Sequence, residues 1–109
     1  MIPLKTAMEG LVSFAANDVL TTMPNGFKKF VALWMLAGLK SSPELAIKPY
    51  MPVLKMTGVV SDDGSSVDEQ KLAVMFSEAF ANIPSVDFLG FTFTAEDANK
   101  LITRISKGA

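Results

Sequence analysis

An uninterrupted apolar run from Phe30 to Leu39 constrains the fold of this chain more than any other feature. The spacing predicts a helix that starts near Asn25 or Gly26 and runs to about Lys40. A helix that is apolar on every side must be surrounded, so we expect it at the centre of the domain or of a dimer. Ten helical residues rise about 15 Å against a hydrocarbon core of about 30 Å, which predicts that the run does not span a membrane.

The composition points to a single domain with surplus apolar surface. Half of the 109 residues are hydrophobic and 19% are charged, and the mean hydropathy is +0.34. A chain of this length forms one domain, residues 1–109, and leaves roughly a third or more of its extended-chain surface exposed. We therefore expect a homo-oligomer, in which a second copy covers apolar surface. The interface candidates are Phe30, Trp34, Met35 and Met51, for which an ordinary place in the core is the commoner alternative.

The residues that are missing exclude common kinds of chemistry. The chain has no cysteine and no histidine, which removes disulfides, thiolate chemistry and the usual general base at neutral pH. No cofactor or metal is therefore expected. A net charge of −1 predicts no global attraction to nucleic acid or anionic lipid. Glu9 and Gly10 interrupt the apolar positions near the start, which does not fit a secretory signal, so a cytoplasmic protein without a membrane partner is expected.

Helical spacing and breaker residues organise the first half of the chain. An amphipathic helix is predicted over roughly residues 3–23 and ends at the turn Met23-Pro24-Asn25-Gly26. Ser42 is positioned to cap a helix that starts at Pro43, and Pro49 should break or kink it. Pro49 and Pro52 then open a second short helix, predicted to end at Gly58.

The second half predicts a loop, a helix, a hairpin and a final helix. The polar stretch 61–66 is expected to form a surface loop, and a helix follows from about residue 67. Its start fits either an Asp68 cap or a capping box of Ser66 with Glu69. A period of two over 85–94 predicts a small hairpin, and Thr94 with Asp97 matches a cap for the last helix. The fold class is therefore mainly α, a compact domain of about five helices with a β-hairpin before the C-terminal helix.

The acidic clusters are predicted to be solvated surface rather than functional sites. Placing Gly64 at the sixth position of an EF-hand loop puts Val59 at the first ligand position and Gln70 at the last, so the acids at 62, 63, 68 and 69 do not fit that motif. Glu78 and Asp87 have apolar neighbours, yet both fall on the polar side of their element's period. We expect both to be exposed rather than catalytic.

Two groups of basic residues are also predicted to have structural rather than binding roles. Lys100, Arg104 and Lys107 share one face of the last helix, where the helix dipole favours positive charge, so a phosphate site is the weaker alternative. Lys28 and Lys29 lie in the first turn of the apolar helix, where the dipole disfavours them. Their long stems suit a solvated rim over apolar surface, with a contact to an acidic partner as the alternative.

From Met56 onward the chain resembles a loose class of small, uncharacterised proteins encoded in phages and prophages of Gram-positive bacteria. The resembling features are Met56-Thr57-Gly58-Val59-Val60 with the Asp63-Gly64 loop, the helix from Val67, and Phe88-Leu89-Gly90-Phe91-Thr92-Phe93-Thr94-Ala95-Glu96-Asp97. The resemblance covers about half of the chain and implies no activity or binding residue.

The leading hypothesis is a non-enzymatic, homo-oligomeric interaction or structural protein, with phage or prophage origin as the resemblance implies. The alternative is a small-ligand binding or regulatory module with an apolar pocket near Trp34. An enzyme that relies on Asp, Glu, Lys and Tyr50 comes third.

Overall fold

Two helices from opposite ends of the chain, α1 and α6, pack side by side and make the most extensive contact between any two elements of the fold. The computed structural model describes residues 1–109, apart from the side chain of Phe88. In chain order the elements are β1 (Ile2–Pro3), α1 (Leu4–Phe14), α2 (Phe27–Ser41), α3 (Pro43–Ile47), α4 (Met51–Thr57), β2 (Ser66–Val67), α5 (Glu69–Asn82), β3 (Ser85–Phe88), β4 (Phe91–Thr94) and α6 (Ala95–Lys107).

Gly10 is the point of closest approach between α1 and α6. A Cβ atom at this position would lie 2.1 Å from the carbonyl oxygen of Arg104 and 2.5 Å from the Cα of Ile105. Both atoms belong to the backbone of α6, so neither is able to move aside as a flexible side chain does. Only glycine allows the two helices to come this close.

An ion pair joins α6 to the segment that follows α1, about two helical turns beyond Gly10. After Phe14, α1 continues as a π-helical segment over Ala15–Val19, which carries Asp18. The guanidinium of Arg104 donates to the carboxylate of Asp18, and its Nη1 donates to Ser13 Oγ at 2.8 Å. Arg104 therefore presents its backbone to Gly10 and its side chain to the following turns of α1.

Two short two-stranded sheets accompany this helix pair. β1 pairs antiparallel with β2, with Ile2 opposite Val67, and Val60 forms an isolated bridge to Val67. Val60 is 2% exposed and is the most enclosed large side chain among the described residues. β3 and β4 form the predicted hairpin, with Val86 opposite Phe93.

Two apolar clusters make up the core. The main cluster lies between α1, α5, α6 and the β1–β2 sheet; its buried members are Ile2, Ala7, Phe14, Val59, Val60, Val67, Leu72, Leu101 and Ile105. A smaller cluster joins the end of the first helix to α2 through Leu20, Met23 and Leu36. α2 therefore contacts the rest of the protein along one side only, the side that carries Leu36.

The predicted fold class is confirmed, and so are most of the local expectations. The chain is helical with a hairpin directly before α6, Pro49 interrupts the helix that starts at Pro43, and Gly58 ends α4 in a left-handed conformation. Asp68 is the cap of α5, since its side chain accepts from two backbone amides. Of the two predicted starts, the Asp68 cap therefore forms, and not the capping box of Ser66 with Glu69. Thr94 and Asp97 form a reciprocal capping box on α6.

The prediction that the apolar run lies at the centre of the domain is wrong. Leu36 is the buried residue of α2, while Trp34 is 73% exposed and Phe30 is 63% exposed. The centre of the protomer is instead the α1–α6 contact. Enclosure of the run in a dimer, the other alternative, stays a prediction.

The close approach at Gly10 predicts a large loss of stability when a single methyl group is added. Gly10→Ala should lower the free energy of unfolding by about 2–3 kcal/mol, because the helices must separate to admit the new Cβ. Gly38→Ala is the matched control, since a Cβ there meets no atom within 4 Å, and it should raise stability by about 0.5–1 kcal/mol through helix propensity.

Urea denaturation at a low, fixed protein concentration measures both variants. Equal stability of Gly10→Ala and the unmodified protein would contradict the α1–α6 packing.

Candidate functional site

The most unusual surface of the protein lies on residues 27–57, which comprise α2, α3 and α4 and are called the arm below. The arm carries nine of the fourteen large apolar side chains that are exposed among the described residues. We call these nine the arm face: Phe27, Phe30, Leu33, Trp34, Met35, Leu45, Tyr50, Val53 and Met56. Exposed apolar side chains are normal when scattered singly, whereas their concentration on one segment marks a contact surface.

The arm face follows from the helical period of α2. Phe27, Phe30 and Trp34 are spaced three and four residues apart, so they form one stripe along the helix. Leu36 and Leu39 lie on the opposite side and pack against the smaller core cluster. Because both sides of α2 are apolar and one side contacts the protein, the other side is left without cover.

The third and fourth helices extend the same surface. α3 and α4 are joined by a single turn of 3₁₀-helix over Lys48–Tyr50, where Pro49 prevents a continuous helix. Met51 and Leu54 turn inward and pack against the main core cluster. Val53 and Met56 face outward, and Met56 is 83% exposed.

The charge of the arm differs from that of the remaining chain. The arm holds five lysines and one glutamate, a net charge of +4, while the other residues hold five basic and ten acidic side chains, a net charge of −5. These two values give the −1 of the whole chain. The arm is therefore a basic segment, and the remaining residues, 1–26 and 58–109, form an acidic part that is called the body below.

The four predicted interface residues fall into two groups. Phe30, Trp34 and Met35 are exposed and belong to the arm face, so their alternative placement in the core is wrong within one chain. Met51 is partly buried against the main core cluster and lies on the inner side of the arm. A role of the first three in a subunit interface stays a prediction.

The apolar character of the arm raises the question of membrane insertion. No single helix of the described chain is long and apolar enough to cross a membrane. Phe27–Ser41 and Pro43–Thr57 reach the required length and composition together, as a pair bent by 113° at the break between them.

Two of the cavities that border the helices have mainly apolar linings and bear on binding. The first, of about 560 Å³, separates α1 from α2 and α3; its lining includes Leu4, Met8, Val12, Leu39 and Ile47, with Lys5, Glu9, Lys40 and Glu44 as charged residues. Its lining does not include Trp34, near which the sequence suggested a ligand pocket. The volume suits a small molecule.

The second cavity, called the hairpin pocket below, is lined entirely by apolar side chains. It has a volume of about 430 Å³ and lies between the first helix, α5 and the β3–β4 hairpin; the lining residues are Leu11, Phe14, Ala15, Val19, Phe76, Ala79, Phe80, Val86, Phe91 and Phe93. The ring of Phe93 lies beside two other aromatic rings of the lining, with centroids 6.1 Å from Phe14 and 5.8 Å from Phe76.

The acidic loop is a hydrogen-bonded turn at the surface, as predicted. Asp63 Oδ1 accepts from Ser61 Oγ at 2.6 Å and from Ser65 Oγ at 2.7 Å. These hydroxyl donors, first that of Ser61, lower the pKa of Asp63 from 3.8 to about 2. No group of three acidic, histidine or cysteine side chains suited to a metal ion lies together in the described chain.

The remaining charged candidates have local roles. Arg104 is engaged by Asp18 and Ser13, so it is not available to a phosphate group in this arrangement. The predicted exposure of Glu78 and Asp87 is confirmed. Neither carboxylate is in the desolvated setting that tunes a catalytic acid.

Comparison of the chain with protein-family models, with curated proteins and with solved structures finds no match.

Sequence reasoning missed two features of the protein, the basic character of the arm and the hairpin pocket. The basic character of the arm was visible in the positions of the lysines, and it was missed because charge was counted over the whole chain. The hairpin pocket combines residues 11–19 with 76–93, and no local pattern predicts that these segments meet.

The hydrogen bonds of the acidic loop predict an unusual titration. The Asp63 carboxyl carbon should titrate in NMR with a midpoint near pH 2, and Ser61→Ala with Ser65→Ala should move it toward 3.8. Because the folded loop favours the carboxylate form, its contribution to stability is present above pH 3.8 and is lost as the pH falls toward 2. A midpoint that stays near 3.8 in the unmodified protein would show that these hydrogen bonds do not persist in solution.

Proposed function

We propose that this chain is a non-enzymatic interaction protein that self-associates through its arm face. The observation that carries the proposal is the concentration of nine large exposed apolar side chains on residues 27–57. Hiding a large apolar side chain from water contributes roughly 1.5–3 kcal/mol, so a surface of this kind has a strong drive to become covered.

The total surface area supports the same conclusion. The protomer exposes 6842 Å², whereas a compact monomer of 11.7 kDa is expected to expose about 5,900 Å². The excess is roughly 1,000 Å², close to the approximately 800 Å² that one partner contributes to a stable interface. The protomer thus carries about as much extra surface as one contact between copies covers.

The available chemistry favours binding over catalysis. The chain has neither histidine nor cysteine, and hydrogen bonds from Ser61 and Ser65 lower the pKa of Asp63, an exposed loop carboxylate. A general acid needs a pKa raised toward neutral pH, which is the opposite direction.

Substitution of Trp34 tests the role of the arm face. Light scattering at micromolar concentration should find the unmodified protein as an oligomer. Trp34→Glu should raise the dissociation constant by roughly 30-fold or more, the effect expected of a central aromatic contact. Trp34→Phe keeps an aromatic side chain and should retain the oligomer.

Circular dichroism should show the same helical content in all three proteins, because Trp34 is exposed in the protomer. A monomeric mass for the unmodified protein at micromolar concentration would overturn the proposed self-association.

The 560 Å³ cavity favours a second candidate, a module that binds a small apolar ligand between α1 and the arm. In that case Val12→Trp, which fills the cavity, should abolish thermal stabilisation by the ligand in a screen of fatty acids and apolar metabolites. No stabilisation of the unmodified protein by any compound of the screen would remove this candidate.

Residence in the cytoplasm and origin in a phage or prophage are further parts of the proposal. The resemblance from Met56 onward supports the origin. Neighbouring genes for capsid, tail or lysis proteins would support a role in virion assembly, and genes of host metabolism would contradict it.

A further inference from the structure

We propose that the arm face of one copy docks into the hairpin pocket of a second copy, in a head-to-tail contact. This inference rests on the self-association proposed above and names the surface that receives the arm. Phe27, Phe30 and Trp34 form the stripe that enters the pocket.

Charge separates a head-to-tail contact from a symmetric one. A symmetric contact between two arms brings two segments of net charge +4 together, which is repulsive. A contact between an arm and the body of the next copy brings +4 against −5, which is attractive. The charge distribution therefore favours the body as the receiving surface.

The hairpin pocket is the part of the body that matches the stripe. Its ten lining residues are all apolar, and its volume of about 430 Å³ has room for an aromatic side chain. Aromatic pairs prefer offset or edge-to-face arrangements, and Phe14 and Phe93 already pack edge to face in the lining, with ring centroids 6.1 Å apart. A further ring from a second copy extends this cluster.

Exposed acidic side chains lie close to the receiving surface. Glu78 and Asp87 are next to the lining residues Ala79 and Val86 in sequence. They add negative charge near the pocket, which suits a segment of positive net charge.

The stripe does not enter the hairpin pocket of its own chain. Leu36, on the opposite side of α2, packs in the cluster that contacts Leu89 and Phe91 of the hairpin. The stripe is therefore directed away from the hairpin of its own chain, and a second copy must supply the pocket. Each copy then offers one stripe and one pocket, which generates a closed ring or an open chain.

Complementation between two variants tests the contact. Trp34→Glu damages the stripe and leaves the pocket intact, while Ala79→Arg obstructs the pocket with a positive charge and leaves the stripe intact. Ala79 is exposed on α5, so this substitution is compatible with the fold. Ser77→Arg, on the same helix and outside the pocket lining, is the matched charge control.

We expect neither variant to associate alone, with dissociation constants raised at least 30-fold for each. An equimolar mixture should form a heterodimer of twice the 11.7 kDa protomer mass and nothing larger. Ser77→Arg should assemble like the unmodified protein. Ala79→Trp fills the pocket without adding charge and should also prevent assembly, which keeps the test valid if Ala79→Arg does not fold.

Other results overturn the inference in distinguishable ways. If both Ala79 variants assemble like the unmodified protein while Trp34→Glu does not, the pocket is not the receiving surface, and the proposed self-association stands. A mixture that stays monomeric also excludes the head-to-tail contact. A monomeric unmodified protein that sediments with vesicles containing phosphatidylserine would overturn both proposals, with lipid as the occupant of the arm face.

Discussion

The structure depends on the contact between α1 and α6, which joins the two ends of the chain at Gly10. The absence of a side chain at this residue brings the backbones of the two helices together, and Arg104 holds them in register through Asp18. α5 and the β1–β2 sheet complete the apolar core around this pair. Since this core closes without the outer side of α2, the most apolar helix of the chain is left at the surface.

The position of the arm connects this packing to function. Leu36 and Leu39 attach α2 to the body on one side, and the break at Pro49 redirects the chain so that Met51 and Leu54 reach the main core. The outward side chains of the arm are thereby held on an anchored scaffold. An anchored apolar surface gains more from association than a flexible one, because less conformational entropy is lost on binding.

Local features were predicted well from the sequence, because their causes are local. The cap formed by Thr94 and Asp97, the break at Pro49 and the end of α4 at Gly58 each depend on residues within a few positions. The burial of α2 was not predicted, since a helix that is apolar on every side has no polar face to mark its orientation. The environment of Trp34 depends on residues that are distant in sequence, which a local pattern does not reveal. The same is true of the hairpin pocket and of the contact at Gly10.

Trp34 provides the most direct measurement of the central claim, because it is the one tryptophan of the chain and lies on the arm face. Its fluorescence should be recorded during dilution from micromolar to nanomolar protein in buffer without detergent or lipid. If copies of the chain cover the arm face, emission should shift to longer wavelength on dilution, and quenching by iodide should increase. Emission and quenching typical of a solvent-exposed indole at every concentration would contradict the account.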